Sequence, residues 1–162
     1  DASPLENHHV SAAYKLAISD PSLNFSTPLS KQDESILRAS CIELVLATDM
    51  KKHFSIVSCF QVALKCSDLS HLACTPEVHS KWVDKLTEEF FLQGDMEAAE
   101  GLPISPLMDR SKRQGMSKSQ VGFFEICALP LFTALATLIP GAKPMLDNVR
   151  ANYSQWHNLN AL

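Results

Sequence analysis

Asp68 stands in the run Lys65-Cys66-Ser67-Asp68-Leu69-Ser70-His71, at the end of an apolar stretch holding Phe60, Val62, Ala63 and Leu64. A carboxylate beside a core is costly unless it is paired or binds a cation. Cys66, His71, Cys74 and His79 are the neighbouring residues able to join it around a metal. Zinc takes Cys, His and Asp ligands, but these spacings match no standard finger. Asp68 as one ligand of a shared site is the better reading.

Other chemistry-bearing residues are scattered along the chain. Glu6 precedes Asn7-His8-His9. It either orders water or metal with the imidazoles or closes a capping box with Ser3, and the spacing favours the box. Asp49 follows Thr48 at a helix end, where a carboxylate opposes the helix dipole; a solvated end explains it on spacing alone. Glu88 and Glu89 precede Phe90 and Phe91. The glutamates read as a solvated face, and Phe90 as a pocket candidate. Gln120 and Phe123, three residues apart, share a helix face. An amide beside a ring can read a planar heterocycle; a capping glutamine and a core phenylalanine are an equally natural reading.

The elements that must position these groups belong to an ordinary globular chain. It has 162 residues, 46% hydrophobic and 20% charged, enough for one domain with a core. The net charge is -4, and the basic pairs Lys51-Lys52 and Lys112-Arg113 are short and isolated. Nucleic-acid binding through phosphate neutralisation is therefore not expected. Five cysteines with no C-x-x-C pair suit a reduced, intracellular, cytoplasmic protein. The start, Asp1-Ala2-Ser3-Pro4, is no signal peptide and has no initiator methionine. The chain is thus expected to begin within a longer protein. The apolar run from Ile126 to Ile139 contains Pro130 and is too short for a bilayer, so a buried helix is expected and no membrane span.

Periodicity and caps predict an all-α class. A first helix opens at Ser3-Pro4-Leu5-Glu6 and runs to about Ile18. A second starts at Ser30 and ends near Met50, with Ile36, Leu37, Cys41, Leu44 and Val45 as its apolar stripe. Residues His53 to Cys66 read as a third. Thr75-Pro76 opens a fourth, with Val78, Trp82, Val83, Leu86, Phe90 and Phe91 near one face. Gly94 to Met116 reads as a long irregular stretch, a kind of segment usually functional or mobile. Ser117-Lys118-Ser119-Gln120 is a second capping box, opening a helix that Pro130 should kink. Pro144 begins a last helix ending near Trp156.

Six segments, in order, resemble the catalytic domain of the class I 3′,5′-cyclic nucleotide phosphodiesterases. They are Ser3-Pro4-Leu5-Glu6-Asn7-His8-His9, Val45-Leu46-Ala47-Thr48-Asp49-Met50, Ser67-Asp68-Leu69-Ser70-His71, Glu88 through Asp95, Ser105-Pro106-Leu107-Met108-Asp109 and Ser119-Gln120-Val121-Gly122-Phe123. The resemblance implies an all-helical domain that hydrolyses cyclic nucleotides (cAMP, cGMP) to 5′-monophosphates in signal transduction. It implies two divalent metal ions, zinc and magnesium (or manganese). By carry-over Asp68 is a metal ligand, and Glu6 and Thr48 hold the water shell of the second ion. Gln120 hydrogen-bonds the purine, Phe123 and Leu86 clamp its faces, and His71, Phe90 and Leu107 belong to the pocket wall. His71, His79, Trp82 and the approach Gly101-Leu102-Pro103 look most like the calcium/calmodulin-stimulated dual-specificity branch. A regulatory domain or calmodulin-binding segment is then expected outside this chain.

The chain departs from the family pattern in two ways. The family's H-N-x-x-H segment, with the general-acid histidine, and its H-D segment are missing, so residues 1–162 are expected to be a C-terminal part of the domain. Ser58-Cys59-Phe60-Gln61-Val62 also joins two parts that the family separates by extra helix, which reads as an internal deletion near 58–62. The alternative to an enzyme is a catalytically incompetent fragment that at most binds cyclic nucleotide weakly.

Overall fold

The computed structural model describes residues 2–55 and 58–160, with side chains at all of these but 54–55, 113–117 and 160. Among the described residues there is no strand, so the all-α expectation holds. The chain divides into two compact units, Asp1–Asp68 and Leu69–Leu162.

The first unit holds α1 (Pro4–Ser19), α2 (Lys31–Leu46) and α3 (Cys59–Asp68), with a 3₁₀ segment at Met50–Ser55. Pro4 opens α1, where a missing N–H costs nothing. The predicted capping box does not form. Ser3 takes left-handed backbone angles (φ 49°, ψ 54°), and its side chain makes no cap bond. Its hydroxyl instead donates to Asp49 Oδ2 at 2.7 Å. At α2 the Ser30 hydroxyl does cap, accepting from the Asp33 N–H at 3.1 Å. The helix ends at Leu46 rather than near Met50, and none of its residues is buried; Ile36, read as core, is 58% exposed. The predicted helix from His53 to Cys66 splits into the 3₁₀ segment and α3. Ile56 and Val57, placed inside it, lie outside the described residues.

The second unit holds α4 (Pro76–Ala99), α5 (Met116–Phe123), α6 (Leu129–Leu138) and α7 (Lys143–Asn160). Its core is built from Leu72, Val83, Phe91, Phe124, Ala128, Leu131, Phe132, Leu135, Leu146 and Val149. The buried face of α4 is His79, Val83, Thr87, Phe91 and Gly94; it shares Val83 and Phe91 with the predicted stripe and takes His79 and Thr87 in place of Val78 and Leu86. Trp82, read as core, is 54% exposed. The helix also runs on through Gly94 to Ala99, and the predicted irregular stretch includes a 3₁₀ segment at Arg110–Gly115. Gly94 is needed in α4: a Cβ at this position would collide with the backbone carbonyl of Met108.

α5 begins at Met116, one residue before the predicted cap, and the side chain of Ser117 lies outside the described residues. A π turn, Phe124–Ala128, joins α5 to α6 and ends just before Pro130. Proline lacks the N–H that the carbonyl four residues back would receive, and the wider turn accommodates that loss without ending the helix. The apolar run judged too short for a bilayer is therefore part of a longer helical run, Lys118–Leu138. With a mean hydropathy of 1.8 it is long and apolar enough by length and composition alone. Buried Phe124, Ala128, Leu131, Phe132 and Leu135 give it a packed role against α7 in this unit.

Candidate functional site

In the first unit, Glu6, Thr48 and Asp68 sit on the first turn of α1, just after α2, and at the last residue of α3. Asp68 is exposed, not buried beside the core, so the desolvation cost read into it does not apply. The strained polar cluster lies elsewhere in this unit. Asp49 is buried and accepts from Ser3 Oγ and, through Oδ1, from the Lys51 N–H at 2.8 Å. The Ser3 hydroxyl first, then the Lys51 N–H, hold its carboxyl below the usual carboxylate range. Asp49 is thus an anchor and not a solvated helix end. Lys65, fully buried on α3, donates from Nζ to the Asp49 carbonyl at 2.9 Å and the Ala47 carbonyl at 3.4 Å. These bonds grip the peptides on both sides of Thr48. The Thr48 hydroxyl donates to the Val45 carbonyl at 2.8 Å, and a hydroxyl so used can still accept from water. His53 is buried nearby, and burial, then the Lys65 charge, push its pKa down.

A metal needs more than this. Among the described residues, no group of three or more His, Cys, Asp and Glu side chains could hold an ion. Cys66 is buried, and burial raises its thiol pKa to about 11, the wrong direction for a thiolate ligand. The residues present fit one carboxylate ligand and oxygen-bearing side chains suited to a hard cation. They do not complete a zinc site.

In the second unit, six residues named from the sequence line one cavity of about 150 Å³: His71, Leu86, Phe90, Leu107, Gln120 and Phe123. Leu69, Leu72 and Ser119 complete the lining. Gln120 and Phe123 come from α5, Leu86 and Phe90 from α4, and His71 from the 3₁₀ turn Ser70–Ala73. Leu107 comes from the segment after α4 and holds a positive φ of 68°. That segment is tied down firmly. Gly101, at φ 71°, closes α4, and the Glu97 carboxylate accepts from Ser105 N at 2.7 Å and Ser105 Oγ at 2.8 Å. Arg110 reaches Glu88 at 2.9 Å and Asp95 at 2.8 Å, with its guanidinium 5.1 Å from the Phe91 ring centre. The cavity is mostly apolar, with one amide and one imidazole. It is about half the smallest usual ligand pocket, which suits one ring system and not a whole nucleotide.

Three residues were not assigned to this site from sequence. Asn152, fully buried on α7, donates from Nδ2 to the Leu72 and Cys74 carbonyls, each at 2.9 Å. Asn148 donates to the Ala73 carbonyl at 2.9 Å. Trp156 Nε1 donates to His79 Nε2 at 2.8 Å. Together they fix the turn that carries His71 and the histidine beside it. The four-residue spacing of 148, 152 and 156 was the available signal, since it places them on one helix face. His79, read as a metal candidate, is instead packed between rings: His71 at 5.4 Å, Phe124 at 5.5 Å and Trp156 at 6.1 Å.

The family model described as 3′5′-cyclic nucleotide phosphodiesterase matches residues 1–149. The dual specificity calcium/calmodulin-dependent 3′,5′-cyclic nucleotide phosphodiesterase 1C of Mus musculus is 40% identical over 91% of this chain and 23% of its own length. The 1B enzyme of Bos taurus is 40% identical over 83% of this chain and 28% of its own length. The solved structure of LmjPDEB1 in complex with IBMX superposes with a TM-score of 0.83 at 29% identity, over 97% of this chain and 53% of that one. The chain thus spans about a quarter of these curated relatives and about half of the matched structure. With helices, order and sequence all in agreement, the chain belongs to the 3′,5′-cyclic nucleotide phosphodiesterase family.

Proposed function

We propose that this chain supplies the base-binding wall and one metal carboxylate of an enzyme that hydrolyses 3′,5′-cyclic nucleotides to 5′-monophosphates. The observation that carries the reading is the cavity. Residues from four separate stretches meet around a space the size of one ring system, with the Gln120 amide and the Phe123 ring on its wall. In this reading Gln120 hydrogen-bonds the purine edge, and Phe123 and Leu86 hold its faces. His71, Phe90 and Leu107 close the wall. Asp68 binds a divalent ion, and Glu6 and Thr48 hold water around a second. The chemistry such ions supply when bound is polarisation of the phosphate and a hydroxide near neutral pH. Zinc and magnesium (or manganese) are the ions proposed. Acceptance of both cAMP and cGMP follows the relatives, which are named as dual-specificity enzymes. Any calmodulin-dependent control, and the general-acid histidine, would come from outside residues 1–162. Five cysteines without a disulfide among the described residues fit an intracellular place for the protein.

The single metal carboxylate favours a second reading for this chain by itself: base binding without turnover. Titrating the 162-residue chain with cAMP and cGMP tests both. We expect weak, saturable binding that Gln120→Ala reduces about tenfold, the loss of a buried hydrogen bond. Turnover by this chain alone would remove the second reading. No binding at millimolar nucleotide would remove the assignment of the cavity.

A further inference from the structure

Ser3 before α1, Asp49 after α2 and Lys65 on α3 are all buried in the first unit, and none has a part in the chemistry proposed above. A fully buried lysine is rare unless its charge is compensated. Here the compensation comes from backbone carbonyls just past the end of α2. Lys65 Nζ donates to the Asp49 carbonyl at 2.9 Å and, at a longer 3.4 Å, to the Ala47 carbonyl. The negative end of a helix dipole favours a cation in this place. Asp49 takes a second tie, from the Ser3 hydroxyl at 2.7 Å. That tie replaces a local cap: Ser3 holds φ 49°, a left-handed backbone uncommon outside glycine, and its side chain makes no cap bond. Each member of the trio stands close in sequence to a residue given a metal role. Ser3 is the N-cap three residues before Glu6, and Asp49 follows Thr48 directly. Lys65 and Asp68 are three apart on α3 and share a face. The trio is buried, whereas Asp68 is exposed and Glu6 and Thr48 are half-buried.

We propose that Ser3, Asp49 and Lys65 form a buried clamp that fixes where Glu6, Thr48 and Asp68 stand relative to one another, with Lys65 as the positioning residue for the Thr48 hydroxyl. Lys65 holds the carbonyls on both sides of Thr48, so the peptide planes flanking that residue do not turn independently. The Thr48 N–H and hydroxyl both donate to the Val45 carbonyl, at 3.1 Å and 2.8 Å. With its hydrogen used in this way, the hydroxyl is left as an acceptor. An acceptor held in one place suits a water polarised by a divalent cation, because such a water is a strong donor. Losing a group that orients the outer partners of a metal commonly weakens its binding about 10–100-fold. The metal half of the proposal rests on the metal roles proposed for Glu6, Thr48 and Asp68; the clamp half does not.

A pair of NMR measurements on the 162-residue chain tests the halves separately. The first, without metal, reads the Thr48 side chain through its three-bond couplings from Cγ to the backbone nitrogen and carbonyl carbon. The unsubstituted chain is expected to show one χ1 rotamer, and Lys65→Met an average of several. Ser30→Ala loses the α2 cap but no part of the clamp, so it controls for lowered stability and should keep the single rotamer. An unchanged rotamer in a folded Lys65→Met chain would overturn the clamp, and equal averaging in Ser30→Ala would reduce Lys65 to a merely structural role. Should Lys65→Met not fold, Ser3→Ala removes the hydroxyl tie to Asp49 alone, and an unchanged Thr48 rotamer there would overturn the clamp equally. The second measurement adds Mn²⁺ alone and follows paramagnetic broadening. Broadening is expected to centre on Glu6, Thr48 and Asp68 and to vanish in Asp68→Asn. It is expected to need about tenfold more Mn²⁺ in Lys65→Met but not in Ser30→Ala. Equal Mn²⁺ requirements in Lys65→Met and the unsubstituted chain would overturn the positioning role. No such broadening in the unsubstituted chain would remove the metal roles, while the Thr48 couplings still decide the clamp.

Discussion

His79 shows how burial turns a common side chain into a marker of pH. An unfolded histidine titrates near 6.5, and the folded ring is held down to about 4 by desolvation first and by the neighbouring His71 second. Between those values the unfolded chain binds the extra proton and the folded chain does not. Stability is therefore fully present above about pH 6.5, falls as pH drops, and levels out below about pH 4. The full effect is about 3 kcal/mol at roughly 1.4 kcal/mol per pKa unit. Urea unfolding at pH 7 and pH 5 should show the loss, and His79→Asn should flatten that part of it; a profile unchanged by the substitution would refute the assignment. Gly94 works at the same scale by having no side chain. Gly94→Ala drives a methyl into the Met108 carbonyl and should cost about 1–3 kcal/mol, as overpacked interiors do. It should also weaken nucleotide binding, because Leu107 sits one residue from the displaced carbonyl. A near-neutral urea midpoint with unchanged affinity would show that the segment moves aside freely.

At the scale of elements, α7 is the member that organises the cavity without lining it. Asn152→Ala should cost about 1–3 kcal/mol, because it leaves the Leu72 and Cys74 carbonyls without their donor. Amide hydrogen exchange should speed up in residues 70–74 while α6 stays protected; uniform acceleration would point to simple global loss instead. α7 was expected from Pro144 and runs four residues past its predicted end near Trp156, yet its role was not legible. Three polar residues on one face read as solvent-facing until the carbonyls they serve are known. The start of α1 misled for a related reason. Ser3 and Glu6 match a capping box, but a distant carboxylate, Asp49, competes for the Ser3 hydroxyl and wins. The stripe of α4 was right at Val83 and Phe91 and wrong beside them, because Trp82 looked like core and His79 did not. That Gln120, Phe123 and Phe90 meet at one cavity was legible because they stand in motif segments whose spacing survives whatever the tertiary packing does, and Leu86 lies two residues before one of them.

Across the whole molecule, the fold class followed from periodicity and helix-start signals, whereas the burial of particular faces did not. Ile36, Trp82, Ile126 and Leu138 are all exposed though apolar, and nothing in their local pattern separates them from core residues. Asp68 is the converse case: a carboxylate that looked expensive to place is in water. That has a consequence for metal dependence of folding. A structural zinc contributes on the order of 10 kcal/mol and would shift the unfolding midpoint by tens of degrees. With no three-ligand group among the described residues, chelator should leave the thermal midpoint of this chain within about 1 °C. A large drop on chelation, measured by scanning calorimetry, would mean that the donor set is wrongly read. One last consequence comes from the π turn at Phe124–Ala128. It inserts one residue into an otherwise continuous helix, and each residue advances a helix by about 100°. The wider turn takes up that residue locally, so α5, which faces the cavity, keeps the phase it would have on a regular helix running from the core-anchored α6. Deleting a single residue from the turn should therefore restore a regular helix with Gln120 and Phe123 still facing the cavity, whereas deleting one from α6 would swing both about a quarter-turn around the axis, so a change of length is tolerated at this turn and not beside it.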